Sequence, residues 1–424
     1  MPAVATFSTR RSEIAGVPVP DLAASFGTPL YVYDAAKIIE RINELRAFDV
    51  IRYAQKACSN LAVLDLVRRH GVVVDAVSAG EVRRALAAGY QPQGEPHQIV
   101  YTADIFDRES LGLVRELGLH VNCGSPDMLD QLGEVCPGSN VTLRINPGFG
   151  HGHSQKTNTG GEQSKHGIWH GEITDCLRRA DRHNIVVTGL HMHIGSGTDL
   201  EHLRHVCDAM DQCAREVGRT LTTISCGGGL PVPYRADQGY IDLATYFQLW
   251  DATRRRLEDA FGKKLSLEIE PGRYLVAESG YLVSEIRAIK QSGQNLFYLL
   301  DAGFNNLARP ILYGAYHPMS ICPAPGRALG QTEHPVVVGG PLCESGDIFT
   351  QEDGGFVRSR PLPPAAIGDY LILEVAGAYG AVMGSNYNGK PLAAEVLIHN
   401  QVPHLVRARQ TFEDLIKGET IPAL

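Results

Sequence analysis

Two hydrophobic periods alternate along much of the chain. From about residue 50 to residue 275, short strand-like runs are separated by stretches in which apolar residues recur every three or four positions, the pattern of repeated β/α units around a parallel sheet. The runs lie at Val50–Lys56, Val72–Ser78, Gln98–Asp104, Leu119–Ser125, Val141–Pro147, Val186–Ile194, Thr222–Gly229 and Leu265–Pro271. Eight such runs predict a (β/α)8 barrel of the TIM type. Ser78-Ala-Gly-Glu81 has the form of a capping box, opening a helix that buries Val82, Ala85 and Leu86 and stops at Gly89. Upstream, Asp34 is placed to cap a helix carrying Ile38, Ile42 and Leu45, while the short run Leu30–Tyr33 before it is ambiguous.

Beyond residue 275 the helical period fades, leaving strand-like runs without regular helices at Tyr281–Ile289, Asn295–Leu300, Pro335–Val338, Asp369–Val375, Ala394–Ile398 and Leu405–Arg409. Pro and Gly cluster at 321–340 and 361–368, marking loops inside this second unit. The expected organisation is an N-terminal segment, 1–34, packing on the second unit; a barrel, 35–275; and a C-terminal β domain of barrel or sandwich type, 276–424.

Composition narrows the function. Hydrophobic residues make up 44% of the chain and charged residues 20%, as in ordinary globular domains. A net charge of −8 disfavours nucleic acid or an anionic membrane as the main partner, so a small-molecule substrate is expected. The chain holds neither a run of about 18 apolar residues nor a leader-like start, which places the protein in the cytoplasm as an expectation. Its nine cysteines are odd in number and contain no C-x-x-C pair, so neither a disulfide framework nor a zinc site is predicted.

In a β/α barrel the chemistry sits at the C-terminal ends of the strands. Here six of the eight runs end in polar or glycine-rich chemistry: Lys56; Asp75 and Ser78; Arg144; His193 and Ser196; Gly227-Gly-Gly229; and Glu270 with Arg273. A lone lysine is more commonly a solvated surface amine. Its neighbours change that reading, because a Schiff-base lysine for pyridoxal 5′-phosphate needs a phosphate site at a fixed distance. The triple glycine and Pro271-Gly-Arg273 supply backbone N–H groups and a guanidinium fork for such a phosphate. Glu270 suits a carboxylate meeting the pyridine nitrogen, His193 a stack on the ring, and Ser196 a phosphate contact. The alternatives are a tight turn for the glycines and an ion pair between Glu270 and Arg273. His191 and His193 share a strand face, but no carboxylate or cysteine spacing completes a metal set, and none is predicted. His151 and His153 lie in the polar segment 148–167, read as a lid over the site.

The ordered series Tyr53-Ala-Gln-Lys-Ala57, Asp75-Ala-Val-Ser78, Arg144-Ile-Asn-Pro-Gly148, Gly189–Gly197, Gly227–Gly229 and Glu270-Pro-Gly-Arg273 resembles the diaminopimelate decarboxylase family, built from an alanine-racemase-like barrel and a β domain. The resemblance continues through Asp301-Ala-Gly303, Arg309-Pro-Ile-Leu-Tyr313, Gly340-Pro-Leu-Cys-Glu-Ser345, Gly377-Ala-Tyr-Gly380 and Ser385-Asn-Tyr-Asn388. It implies that Lys56 binds pyridoxal 5′-phosphate, with Asp75, His193, Ser196, Gly227, Gly228, Gly229, Glu270, Gly272, Arg273 and Tyr379 around it. It also implies substrate contacts from Arg144, Arg273, Arg309, Tyr313, Glu344 and Tyr379. Cys343 is implied as the proton donor, supplied across a homodimer whose β domains contribute to shared active sites. The implied reaction converts meso-2,6-diaminopimelate to L-lysine and carbon dioxide, the last step of lysine biosynthesis. An ion pair between Arg309 and Glu344, and a buried apolar role for Cys343, are the structural alternatives. Gln55 stands where leucine is common in the family, and Ala57-Cys-Ser59 where alanine and asparagine are common. Competing activities are decarboxylation of D-ornithine, D-lysine or arginine by the same machinery, racemisation, and cofactor binding without catalysis.

Overall fold

Residues 6–149, 160–193 and 199–424 are described by the computed structural model. Eight parallel strands close into a barrel: Val50–Ala54, Val73–Ala76, Ile99–Ala103, His120–Cys123, Asn140–Asn146, Val186–His191, Thr223–Ser225 and Ser266–Ile269. Closure comes from the eighth strand pairing with the first, Glu268 against Val50 and Ile269 against Ile51. Each strand lies within a run that the hydrophobic pattern marks, apart from Asn140 at the start of the fifth, and most stop short of the run's C-terminal end. The reason is local: Ser78 leaves the ladder to cap the next helix, its Oγ accepting the Glu81 N–H at 3.2 Å. Lys56 leaves it in the single 3-10 turn Gln55–Ala57.

The surrounding helices open where the sequence supplies capping oxygens. Asp34 accepts the Ala36 and Lys37 N–H groups, Asn60 that of Ala62, and Asp242 that of Thr245. Ile38 and Ile42 are fully buried on the first of these helices, as their spacing predicts, whereas Leu45, equally buried, lies in the turn beyond the helix end at Asn43. On the helix Ala79–Ala87, Val82 and Ala85 are buried, whereas Leu86 is half-buried.

Alternate positions along the strands divide two environments. Ile51, Tyr53, Val74, Val121, Leu143, Leu190, Ile224 and Leu267 are buried apolar residues. The positions between them carry buried polar groups: Arg52, Asp75, Asn122, Arg144, His191, Ser225 and, beyond the last strand, Glu270. The barrel interior is therefore polar, unlike the layered branched aliphatics common in this architecture. Such groups must find partners. Arg52 forms an ion pair with Glu268 at 3.2 Å, and Asn122 Nδ2 donates to Thr102 Oγ1 at 2.9 Å.

The β domain is organised on the long strand Gly280–Ser292, which pairs antiparallel with Asn295–Leu300, Tyr370–Leu373 and Leu30–Asp34. Leu30–Asp34 also runs parallel to Ala394–His399, so both ends of the chain share one sheet. This settles the ambiguous Leu30–Tyr33 run as a strand; its Tyr31 and Tyr33 hydroxyls donate to the Asn306 carbonyl and the Glu395 carboxylate at 2.6 and 2.8 Å. The domain is not free of helices as expected. Arg309–Tyr313 forms a short one, with Pro310 in its first turn where the missing N–H costs nothing. Met319–Cys322 and Arg360–Leu362 are additional strands, too short and too close to Pro-rich loops to stand out in the pattern. No helix among the described residues is long and apolar enough to cross a membrane.

Candidate active site

Lys56 stands at the mouth of the barrel because three contacts fix its turn. The Ala54 N–H donates to the Pro271 carbonyl at 3.0 Å, and the Ala57 carbonyl accepts the Tyr379 N–H at 2.8 Å. Gln55, the departure from the family pattern, is fully buried and donates from Nε2 to the Asp75 carbonyl at 3.3 Å. Gly272 packs on this turn so closely that a Cβ there would meet Ala54 and Ala57 at 3.2–3.3 Å. Tyr379 adopts φ of +57°, a left-handed conformation uncommon for a non-glycine residue, and its N–H is the one that reaches Ala57.

Glu270 is buried, and its two oxygens have separate partners. Ser225 Oγ donates to Oε1 at 2.8 Å, and His191 Nε2 lies 2.9 Å from Oε2. Burial pushes this carboxyl up, but His191, Ser225 and the charge of Arg52 together hold it below the usual carboxylate range. Arg273 does not pair with Glu270. His191 and His193 lie with parallel rings, 6.5 Å apart at 9°, and serve different partners. His193 Nδ1 accepts the Gly228 N–H at 2.8 Å, which places any proton of the neutral ring on Nε2. Burial, Arg144 and Lys56 all keep this imidazole neutral, well below its ordinary pKa. Among the described residues no cluster of three His, Cys, Asp or Glu side chains is gathered for a metal.

The glycine run is more than a turn. A Cβ on Gly227 would come within 2.4 Å of the Met192 carbonyl, and one on Gly228 within 2.4 Å of the Glu270 carbonyl. The Gly227 N–H donates to Ser225 Oγ at 3.2 Å and that of Gly228 to His193. Two of the three amides expected to face a phosphate are thus committed within the site, and Gly229, at φ of +95°, is the one with neither bond.

Asp75 is buried beside Lys56, with Oδ1 lacking a hydrogen-bond partner; burial and the neighbouring Glu270 push its carboxyl up against the opposing charge of Lys56. Glu81 lies behind it, accepting the Val77 N–H at 2.9 Å, so the expected capping box closes one residue further back than its usual form.

On the other side of the turn, Arg273 and Arg309 converge on a single phenol. Each donates from Nη1 to the Tyr234 hydroxyl at 3.0 Å. Arg309 Nη1 also donates to His317 Nε2 at 3.0 Å, while His317 Nδ1 donates to the Glu374 carbonyl at 3.0 Å. The Arg273 guanidinium lies 5.3 Å from the centre of the Tyr379 ring, and Tyr313 is close enough to affect its charge. Among the described residues no carboxylate forms an ion pair with either arginine, so the Arg309–Glu344 pair does not form within the chain. Glu344 is exposed, as is Cys343, the one exposed cysteine of the nine. The Cys343 N–H is held by Asn388 Oδ1 at 2.8 Å.

Ser196, His151 and His153 lie outside the described residues. Four neighbours went unassigned in the sequence: His191, Ser225, Tyr234 and His317. The first two had a signal, being polar residues at alternating positions of barrel strands. Tyr234 and His317 had none, since each belongs to the site only through packing between the barrel and the β domain.

Residues 35–277 match the family "Pyridoxal-dependent decarboxylase, pyridoxal binding domain". The diaminopimelate decarboxylase of Escherichia coli K12 is 54% identical, covering 94% of this chain and 96% of its own. A crystal structure of diaminopimelate decarboxylase superposes with a TM-score of 0.93 at 52% identity, over 97% of this chain and 98% of that one. A second, from M. jannaschii in co-complex with L-lysine, gives 0.86 at 30% identity, over 100% and 99%. The chain belongs to the diaminopimelate decarboxylase family of pyridoxal-dependent decarboxylases.

Proposed function

We propose that this pyridoxal-dependent decarboxylase removes one carboxylate of meso-2,6-diaminopimelate, giving L-lysine and carbon dioxide. The observation that carries the substrate is the pair of guanidiniums of half-buried Arg273 and buried Arg309, with no carboxylate partner among the described residues. Arg273 also serves the cofactor's phosphate, which leaves the buried Arg309 as a permanent cation that demands an anion of its own. A second carboxylate meets that demand; a substrate with an amine alone at its far end does not.

The residues fit the cofactor. Asp75 Oδ1 is a buried acceptor lacking a partner near Lys56, and Gly228 and Gly272 let the backbone close on Glu270 and on the turn that bears Lys56, where a side chain would clash. When bound, pyridoxal 5′-phosphate supplies the electron sink for decarboxylation. Lys56 holds its carbonyl carbon, and Glu270, kept ionised by His191 and Ser225, meets the ring nitrogen. His193 offers a neutral imidazole face, while Gly229, Gly272, Arg273 and Ser196 hold the phosphate, with Gly227 and Gly228 shaping its bed. Arg144, Tyr313 and Tyr379 orient the substrate. Glu344 binds the distal ammonium, and the Cys343 thiol delivers a proton to the carbon that lost carbon dioxide. In one protomer Cys343 and Glu344 are exposed and their backbone bonds stay within the β domain, which supports a homodimer in which they complete the partner's site.

The test is incubation of the cofactor-loaded protein with meso-diaminopimelate, D-lysine and D-ornithine, following carbon dioxide and the amine product. Release of carbon dioxide with L-lysine from diaminopimelate, and little from the others, is expected. Release from none of them overturns the proposal.

A further inference from the structure

The phenol between the two arginines is the least expected part of the site. Tyr234 lies five residues beyond Gly229, in the loop that leaves the seventh barrel strand. It reaches one guanidinium at the end of the barrel and another on the short helix of the β domain. The same loop is tied down by its next residue. Arg235 lies 4.0 Å over the ring of Tyr316, on which Arg360 also stacks at 3.7 Å. Tyr234 packs edge-on against His317 at 5.5 Å between ring centres.

Hydrogen-bond accounting fixes what the phenol offers. A guanidinium only donates, so Tyr234 accepts both bonds, using its two lone pairs and leaving its own O–H as a donor. Arg309 spends both Nη1 hydrogens, one on Tyr234 and one on His317, whose Nδ1–H is in turn committed to Glu374. The Nε and Nη2 edge of Arg309 is left for a bidentate anion. The two cations hold the Tyr234 phenol below its ordinary range although burial pushes it up, which strengthens the O–H as a donor.

We infer that Tyr234 is a specificity-determining positioning residue: its oxygen sets the spacing of the Arg273 and Arg309 guanidiniums, and its O–H is a third donor to the substrate's distal carboxylate. This deepens the proposed function and rests on it. A ligand without that carboxylate leaves the Tyr234 O–H and the Nε and Nη2 edge of Arg309 unmatched, the arrangement by which a polar pocket rejects an analogue.

The experiment compares wild type with Tyr234→Phe as holoenzymes, using L-lysine, which keeps the distal carboxylate, and 1,5-diaminopentane, which lacks it. Calorimetry should show the variant binding L-lysine about 10- to 100-fold more weakly, with 1,5-diaminopentane changed less than about twofold. In turnover of meso-diaminopimelate the loss should fall on KM more than on kcat. Thermal unfolding and the visible absorbance of the cofactor check that the variant is folded and loaded. Equal weakening of both ligands, or of neither, overturns the inference. Wild-type protein that releases no carbon dioxide overturns the decarboxylase reading first, and this inference with it.

Discussion

His191 Nε2 lies 2.9 Å from Glu270 Oε2, inside a barrel whose interior is polar at this level. The two residues come from the ends of the sixth and eighth strands, and Ser225 of the intervening seventh strand satisfies the other carboxylate oxygen. Three adjacent strands thus hold one buried charge in a single orientation. Truncating one member of such a group costs far more than the pair contributes net, because the remaining charge is stranded away from water.

Replacing His191 with Phe should therefore destabilise the protein by about 3–5 kcal/mol near neutral pH. The carboxyl is held at about 2 in the fold, below its unfolded value near 4.3. Its ionisation stabilises the wild type above the unfolded value, and that contribution disappears as pH falls toward about 2. In the variant the acid-side loss should flatten. Urea denaturation across the acid range reads both effects, and an unchanged profile would separate His191 from the charge state of Glu270.

Arg309→Ala should lower kcat/KM for meso-diaminopimelate by about 10- to 100-fold, since it removes charge-assisted bonds to the second carboxylate. The cofactor's absorbance should be intact, because Arg309 touches Tyr234 and His317 and not the turn bearing Lys56. Steady-state kinetics with absorbance spectra decides this. Unchanged turnover would remove Arg309 from the substrate pocket.

The barrel strands and the position of Lys56 just past a strand end were legible because period and position both survive in one dimension. Alternating runs name the strands, and the barrel rule then marks their ends. The role of Gln55 was not legible, since its Nε2 bond is made to the carbonyl of Asp75 on the neighbouring strand. Arg309 and Tyr313 were named by motif alone, as the short helix that sets them four apart is below the length at which periodicity speaks. The Gly227–Gly229 run illustrates a different limit. Its composition shows that backbone approaches something closely, but two of its N–H groups turn out to be spent on Ser225 and His193.

Glu81 should give the stability profile a second feature. Burial and the neighbouring Asp75 raise its carboxyl to about 7, against the opposing pull of the Val77 N–H and Lys56. A raised acid contributes stability that is complete below its unfolded value, near 4.3, and is lost as pH rises through about 7. Glu81→Gln keeps an acceptor for the Val77 N–H and removes the charge. The variant should gain about 1–2 kcal/mol over wild type at about pH 8 relative to about pH 5, the full shift being discounted for residual solvent contact. Urea midpoints at the two values measure it, and an equal offset at both would assign the effect to packing.

Cys343 and Lys56 provide the sharpest test of a shared site. Cys343→Ala should reduce carbon dioxide release by about 10²- to 10⁴-fold, the usual worth of a positioned proton donor, and Lys56→Ala should abolish it. If Cys343 serves the partner's Lys56, a heterodimer of the two variants contains one site lacking both residues and one site that is intact. Random reassortment of equal amounts makes heterodimers half of the population, so activity should recover to about a quarter of wild type. Were both residues drawn from the same chain, every site in the mixture would lack one of them and no recovery could occur. Mixing the purified variants under conditions that exchange subunits, then measuring carbon dioxide, therefore distinguishes a site built across two chains from a site built within one.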